Sequence, residues 1–384
     1  MDKFRFVDQA LRRRIADNRL RMLSSVVPIT DTEIFYQGRK VINFCSNDYL
    51  GLSKHPLLRE RAGQYLARYG SGATASRLVC GDYDMFRHIE EKIARLKKKE
   101  AALVFNSGFQ ANVSIIPAIA DSNSIVFSDA LNHNSIIQGI RLSRAKTVIF
   151  PHNDMNELRK LLLMHVQDGM RAIIVTESVF SMDGDLADLD TLRRLANEFN
   201  CILVVDDAHA TGVMGSHGMG LACGDCSDLI MGTFSKGCGG FGAYVACSKR
   251  MRDYLINVAT GFIYSTALPP AVLGAVDAAL DIVPEMDGAR KTLSDNSQMV
   301  RTRLRDLGWD TGRSASQIIP VVVGSEKQAM ALSSFLLENG ILGVAIRPPS
   351  VPEGQSRIRI SLCAGHTREQ IDRMLDAFAR FAGA

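Results

Sequence analysis

The stretch Asp228-Leu229-Ile230-Met231-Gly232-Thr233-Phe234-Ser235-Lys236-Gly237-Cys238-Gly239-Gly240-Phe241-Gly242 decides which fold the chain can adopt. Residues 228–232 form a short apolar run, the pattern of a buried strand, and lead into a small-residue turn that carries one lysine. Gly237, Gly239 and Gly242 formally spell a dinucleotide-binding fingerprint. Such a fingerprint must follow a strand and open a helix. Here the glycines run instead into residues 242–247, a second apolar run that reads as a strand. A nicotinamide-binding helix therefore has no place in this segment. What remains is Lys236 among small residues at the carboxyl end of a buried strand, where open α/β sheets put their ligands.

Working outward, runs of the same kind recur at 101–105, 124–127, 146–150, 172–176 and 201–205. With 228–232 and 242–247 they predict an α/β fold with a mainly parallel, seven-stranded sheet covered by helices on both faces. Two amphipathic helices stand out upstream, on Phe4, Val7, Leu11 and Ile15 and on Met85, Ile89, Ile93 and Leu96. Residues 41–44 read as a strand before the polar turn Ser46–Gly51. Near 281–287 the pattern changes to isolated strands at 318–323 and 357–361. A closing helix comes last, with Thr367 and Gln370 in capping-box spacing and Ile371, Met374, Leu375 and Phe378 on one face. We expect an N-terminal arm over 1–50, a large domain over 51–285 and a smaller α+β domain over 286–384.

Composition excludes several classes. The chain has 384 residues, 46% hydrophobic and 22% charged, with no low-complexity segment, so a sizeable core is available. Lys plus Arg is 45 against 41 acidic residues, a surplus of only +4, too even to argue for nucleic acid. Arg12–Arg14 and Lys97–Lys99 sit in helical patterns and read as solvated helix faces. No window is apolar enough for a membrane helix, and charges occupy the N-terminal stretch where an export leader is apolar. Eight scattered cysteines, Cys201 and Cys247 among them in apolar runs, fit reduced packing thiols and a cytoplasmic chain. Cys223 and Cys226 form one CxxC with no second pair, so no metal site is expected.

Two further segments carry chemistry. The run 101–105 is followed by Asn106-Ser107-Gly108-Phe109-Gln110-Ala111-Asn112, a turn into a helix whose free N–H groups suit a phosphate. Val204-Val205-Asp206-Asp207-Ala208-His209 sets two carboxylates and an imidazole directly after a strand. One Asp would face a ligand nitrogen and His209 a ligand oxygen; the packing alternative is that Asp207 caps the next turn. A lysine in an apolar pocket loses its proton readily and can attack a carbonyl. A phosphate cup, a carboxylate, a hydrogen-bond donor and a lysine together match one aldehyde cofactor, pyridoxal 5′-phosphate (PLP).

In these motifs the chain resembles the α-oxoamine synthases, PLP enzymes with the fold type I architecture of the large aminotransferase class. The resemblance runs from Asn47–Leu52 through Ser107–Asn112, Asn132–Asn134, Phe180–Gly184 and Asp206–His209 to Thr233–Lys236 and Ile263–Thr266. It implies that Lys236 anchors PLP and then moves the substrate α-proton, and that Asp206 pairs with the ring nitrogen. By the same resemblance, His133 stacks on the ring, and Ser181 and His209 meet its phenolic oxygen. Gly108, Phe109 and Thr233 reach the phosphate, joined by Ser265 and Thr266 from the partner of a homodimer with shared active sites. Arg359 grips the amino-acid carboxylate, and Arg21, Asn47, Arg347 and Ser350, with His133, meet substrate. Ala345–Pro352 and Arg357–Arg359 resemble the branch that condenses L-alanine with a pimeloyl thioester, on coenzyme A or a carrier protein, to 8-amino-7-oxononanoate in biotin synthesis. The alternative is a sister synthase that joins glycine to acetyl- or succinyl-CoA, or serine to palmitoyl-CoA. Ser350 stands where relatives commonly carry Thr, and Ala75 where they often carry Gly, which predicts backbone strain if that position needs a positive φ.

Overall fold

A computed structural model describes residues 2–383, and the apolar runs assemble into one seven-stranded sheet. Its strands are β1 (Ala101–Phe105), β2 (Ser124–Asp129), β3 (Lys146–Phe150), β4 (Arg171–Glu177), β5 (Ile202–Asp206), β6 (Leu229–Thr233) and β7 (Ala243–Cys247). The order across the sheet is β1-β7-β6-β5-β4-β2-β3. All neighbours are parallel except β7, which is antiparallel to both β1 and β6. The turn 234–242 causes this, because it is too short for the crossover that parallel strands need. Gly239 makes that turn possible. It sits at φ +62°, and a Cβ there would lie 2.5 Å from the Ser53 nitrogen.

Strand pairing runs on past the apolar residues. Asp129, Glu177, Asp206 and Thr233 each end a strand of the sheet, so polar side chains are held on paired backbone. Beneath them Val126, Val175, Val204 and Met231 pack against Ile115 and Ile116 of the helix Gly108–Ile119, all of them buried. Each such side chain contributes about 1.5–3 kcal/mol relative to leaving it in water.

The chain divides into two compact units. One holds Asp48–Ser181 and Leu186–Arg290, and so the large sheet. The other groups the residues up to Asn47 with Met182–Asp185 and those from Lys291 onward. In this second unit Ile341–Leu342 adds in parallel to Arg39–Asn43, beside Glu33–Tyr36 and Val26–Pro28. A separate three-stranded sheet runs Ile318–Gly324, Ser356–Ser361, Val344–Ile346. The last helix, Arg368–Ala382, has both capping-box hydrogen bonds between Thr367 and Gln370, and buries Ile371, Met374, Leu375 and Phe378. The first helix, Arg5–Ala16, forms at the expected place but buries none of its residues.

Two expectations from the sequence are overturned. Lys97 is not on a solvated face. It is fully buried, and its ammonium donates to Asp207 Oδ2 at 2.5 Å and to the Ala222 carbonyl at 3.0 Å. Helical periodicity puts Lys97 four residues after Ile93, on the buried side of Asp84–Lys97, and a carboxylate from across the unit makes that position tolerable. Ala75 needs no positive φ either; the left-handed residue of its turn is Thr74, at φ 60°. Cys223 and Cys226 close a single turn in which Cys226 Sγ accepts the Cys223 N–H at 3.1 Å.

His366 in the second unit makes stability pH-dependent. Its ring stacks on Phe44 at 4.3 Å, and Nδ1 accepts the Cys363 N–H at 2.9 Å. Burial pushes its pKa down from 6.5 to about 4. The unfolded chain therefore takes up this proton first as pH falls, and stability is lost from about pH 6.5 down to about pH 4. Between pH 7 and 5 the loss from this group is expected to be roughly 2 kcal/mol. Denaturant unfolding at both pH values checks it. A His366→Gln variant with the same acid sensitivity as the parent would rule the group out.

Candidate active site

A cleft of about 220 Å³ opens at the carboxyl ends of β4, β5 and β6. Gly108, Phe109, His133, Asp206, His209, Thr233 and Lys236 all line it, together with Ser107, Ser135, Glu177 and Ser235. These residues come from separate segments of the chain, brought to one edge because parallel strands end on the same side.

Asp206 is held on two sides. The Ala208 N–H donates to Oδ1 at 3.0 Å, and Asn112 Nδ2 to Oδ2 at 2.8 Å. Asn112 also donates to Ser135 Oγ at 2.9 Å, and that oxygen lies 2.7 Å from His133 Nδ1. One asparagine thus orients both the carboxylate and the imidazole. Burial holds the His133 pKa below its ordinary value, with Asp206 opposing and Lys236 adding to this, which favours the neutral ring.

Lys236 Nζ lies 2.8 Å from His209 Nε2, and His209 Nδ1 lies 2.7 Å from the Tyr49 hydroxyl. Tyr49 fixes the imidazole, and the imidazole holds the lysine. At the opposite end Ser107 caps the helix Gly108–Ile119 by accepting the Gln110 N–H at 3.1 Å. The N–H groups of Gly108 and Phe109 belong to the first turn and have no partner within the helix, as an anion site requires. Thr233 Oγ1 stands 2.7 Å from Ser235 Oγ and donates to the Gly242 carbonyl at 2.9 Å.

The other expected residues make the following contacts. Ser181 is buried, and its N–H donates to Glu177. Ser265 and Thr266 line a separate small pocket with Arg77, Asn106 and Gln110, where Gln110 Nε2 donates to Ser265 Oγ at 2.5 Å. In the second unit Arg359 donates to Asn47 Oδ1 at 3.2–3.3 Å and to Ser361 Oγ at 2.8 Å. Arg21 donates to Ser350 Oγ at 3.1 Å, and Arg347 to the Asn18 carbonyl. Both arginines border a groove of about 700 Å³ with Leu20, Met22, Leu337 and Val344.

Asp207 takes no part in the cleft. Besides Lys97 it accepts from Ser178 Oγ at 2.6 Å and from the backbone N–H groups of Leu221 and Ala222. Sequence reasoning passed over Glu177, Asn112 and Tyr49. Glu177 did carry a signal, a carboxylate directly after an apolar run, the same signal as Asp206.

The family model for class I and II aminotransferases matches residues 39–378. The chain belongs to that family. A Desulfosudis oleivorans protein, provisionally named 8-amino-7-oxononanoate synthase, is 58% identical over 98% of both chains. Among solved structures, a serine palmitoyltransferase from S. paucimobilis with PLP and myriocin bound is 26% identical, with a TM-score of 0.92 over 99% of this chain and 98% of that one. The 8-amino-7-oxononanoate synthase of Francisella tularensis is 28% identical, with a TM-score of 0.78 over 89% of this chain and 98% of that one. Within the family the chain is an α-oxoamine synthase of fold type I, a PLP-dependent C-acyltransferase. The donor set fits that cofactor: a lysine, a carboxylate held by two donors, an imidazole and an open helix terminus share one cleft. No helix among the described residues is long and apolar enough to cross a membrane.

Proposed function

We propose that this enzyme condenses L-alanine with a pimeloyl thioester, releasing CO₂ and the free thiol carrier and forming 8-amino-7-oxononanoate for biotin synthesis. PLP, when bound, supplies an electron sink for a carbanion at the amino-acid α-carbon. Lys236 would anchor it, and Asp206 would keep a proton on its ring nitrogen. His133 would cover the ring, Ser181 and His209 would meet its phenolic oxygen, and Gly108, Phe109 and Thr233 would hold its phosphate. Lys236 Nζ then takes the alanine α-proton and returns one after decarboxylation, with His209 orienting the amine. Arg359, positioned through Asn47, binds the amino-acid carboxylate, a bidentate task for a guanidinium. In this reading the enzyme is a cytoplasmic homodimer, and Ser265 and Thr266 serve the partner's phosphate site.

The observation that carries the choice of acyl group is the arginine pair Arg21 and Arg347. Neither forms an ion pair with a carboxylate among the described residues, and both border a largely apolar groove. Burial, and then the like charge of Arg21, hold the Arg347 pKa below its ordinary value, with Glu326 acting in the opposite direction. Two cations with no carboxylate in ion-pair contact, beside apolar walls, suit an apolar chain that ends in a carboxylate. Pimeloyl is such a chain; acetyl and palmitoyl are not.

Arg347→Ala is therefore expected to lower turnover with the pimeloyl thioester by about 10²-fold or more, since it unmakes a charged hydrogen bond. Alanine binding, read as the spectral change on adding alanine alone, should be unaffected. The assay is best run with pimeloyl on a short thiol lacking phosphates, so that a lost contact to the carrier is not mistaken for one to the acyl chain. Faster product formation from glycine and acetyl- or succinyl-CoA than from alanine and pimeloyl-CoA would overturn the substrate assignment.

A further inference from the structure

Asp206 is not the only carboxyl at the cleft. Glu177 ends β4 as Asp206 ends β5, and the two are register partners on adjacent parallel strands, so both side chains point to the same face. Both line the same cleft. Glu177 is only 2% exposed, and its Oε1 is buried without a hydrogen-bond partner. The carboxyl is otherwise met by the backbone N–H groups of His133 and Ser181. Among the described residues it has no ion pair with lysine or arginine.

We propose that Glu177 carries its own proton in the folded enzyme and so leaves Asp206 as the single anion of the cofactor cleft. The groups that face it are Asp206 from β5, Lys236 from the turn after β6, His133 from the loop after β2, and His209 from the loop after β5. Two carboxylates side by side in a buried site do not both ionise. Asp206 has two donors on its oxygens, whereas Glu177 leaves one oxygen with none, so the proton belongs on Glu177. Burial first, and then the Asp206 charge, raise the Glu177 pKa well above the ordinary range, with Lys236 acting in the opposite direction. The consequence is a cleft with one negative charge, carried by the residue that faces the ring nitrogen. Glu177 then tunes the site by being neutral. The inference rests on the assignment of Lys236 and Asp206 to PLP.

Glu177→Gln tests it, because the amide mimics a neutral acid in shape. Infrared spectra of the apoprotein at pH 7 should show a protonated-carboxyl stretching band that is missing in E177Q. In the PLP-loaded protein the pH midpoint of the visible absorption band should be the same in E177Q as in the parent. An ionised Glu177 predicts the reverse: no such band, and a midpoint lowered by roughly 1–3 units when the charge is removed. Either result overturns the proposal. So does failure of E177Q to fold, since the neutral isostere would then not replace the native group. Failure of the cofactor assignment shows separately, as absence of borohydride-fixed PLP on Lys236 of the parent, and leaves the infrared comparison intact.

Discussion

Lys236→Ala is expected to fold like the parent and to lose condensation activity by at least about 10²–10⁴-fold, the range for removing a positioned proton-transfer group alone. The covalent anchor for PLP disappears in the same substitution, so the loss should lie at or beyond the upper end. Its geometry explains why no neighbour substitutes. His209 Nε2 is 2.8 Å away, and its other nitrogen is tied to the Tyr49 hydroxyl, so the ring is fixed where it stands. The measurement is turnover alongside circular dichroism and PLP uptake. Near-parental turnover in a folded variant would remove Lys236 from the mechanism.

Lys97→Met should be severely damaging although it lies outside the cleft. The ammonium and the Asp207 carboxylate are both fully buried, 2.5 Å apart. Burial works against the ammonium, but the adjacent carboxylate outweighs it and holds the Lys97 pKa above the ordinary lysine value. Burial also raises the Asp207 pKa, against the pull of Lys97, so removing the lysine leaves a buried carboxyl that must hold its charge or take up a proton with only Ser178 and two backbone N–H groups beside it. Breaking one side of such a pair costs about 3–5 kcal/mol. Asp207 adjoins Asp206, so PLP affinity should fall as well. Lys97→Met combined with Asp207→Leu should be less destabilised than the sum of the two single changes, because the stranded charge is gone. Denaturant unfolding of the three variants measures this. A single Lys97→Met variant as stable as the parent would show that the pair does not hold this loop.

The fold, the family and most of the candidate residues that line the cleft were legible in the sequence because their signals lie in contiguous residues. The strand runs, the Lys236 turn and the Asp206–His209 segment are each readable within about a dozen positions, where period and turn chemistry operate. The glycines of 237–242 could be rejected as a nucleotide loop for the same reason: they lead into a strand and not into a helix. Local pattern stops at the charge state and partner of a side chain. Lys97 resembled Lys98 and Lys99 in sequence, yet the face it occupies is buried, and the carboxylate that makes this possible lies 110 positions later. The residues alone left open which of Asp206 and Asp207 faces the ligand, and only the resemblance named Asp206; sheet packing turns Asp206 into the cleft and Asp207 toward Lys97. The Arg21–Ser350 contact spans 329 positions, and the Glu177–Asp206 pairing depends on β4 lying beside β5. Strand order and long-range burial decide such pairings, because the energy of a charge depends on what surrounds it in space and not on its neighbours along the chain.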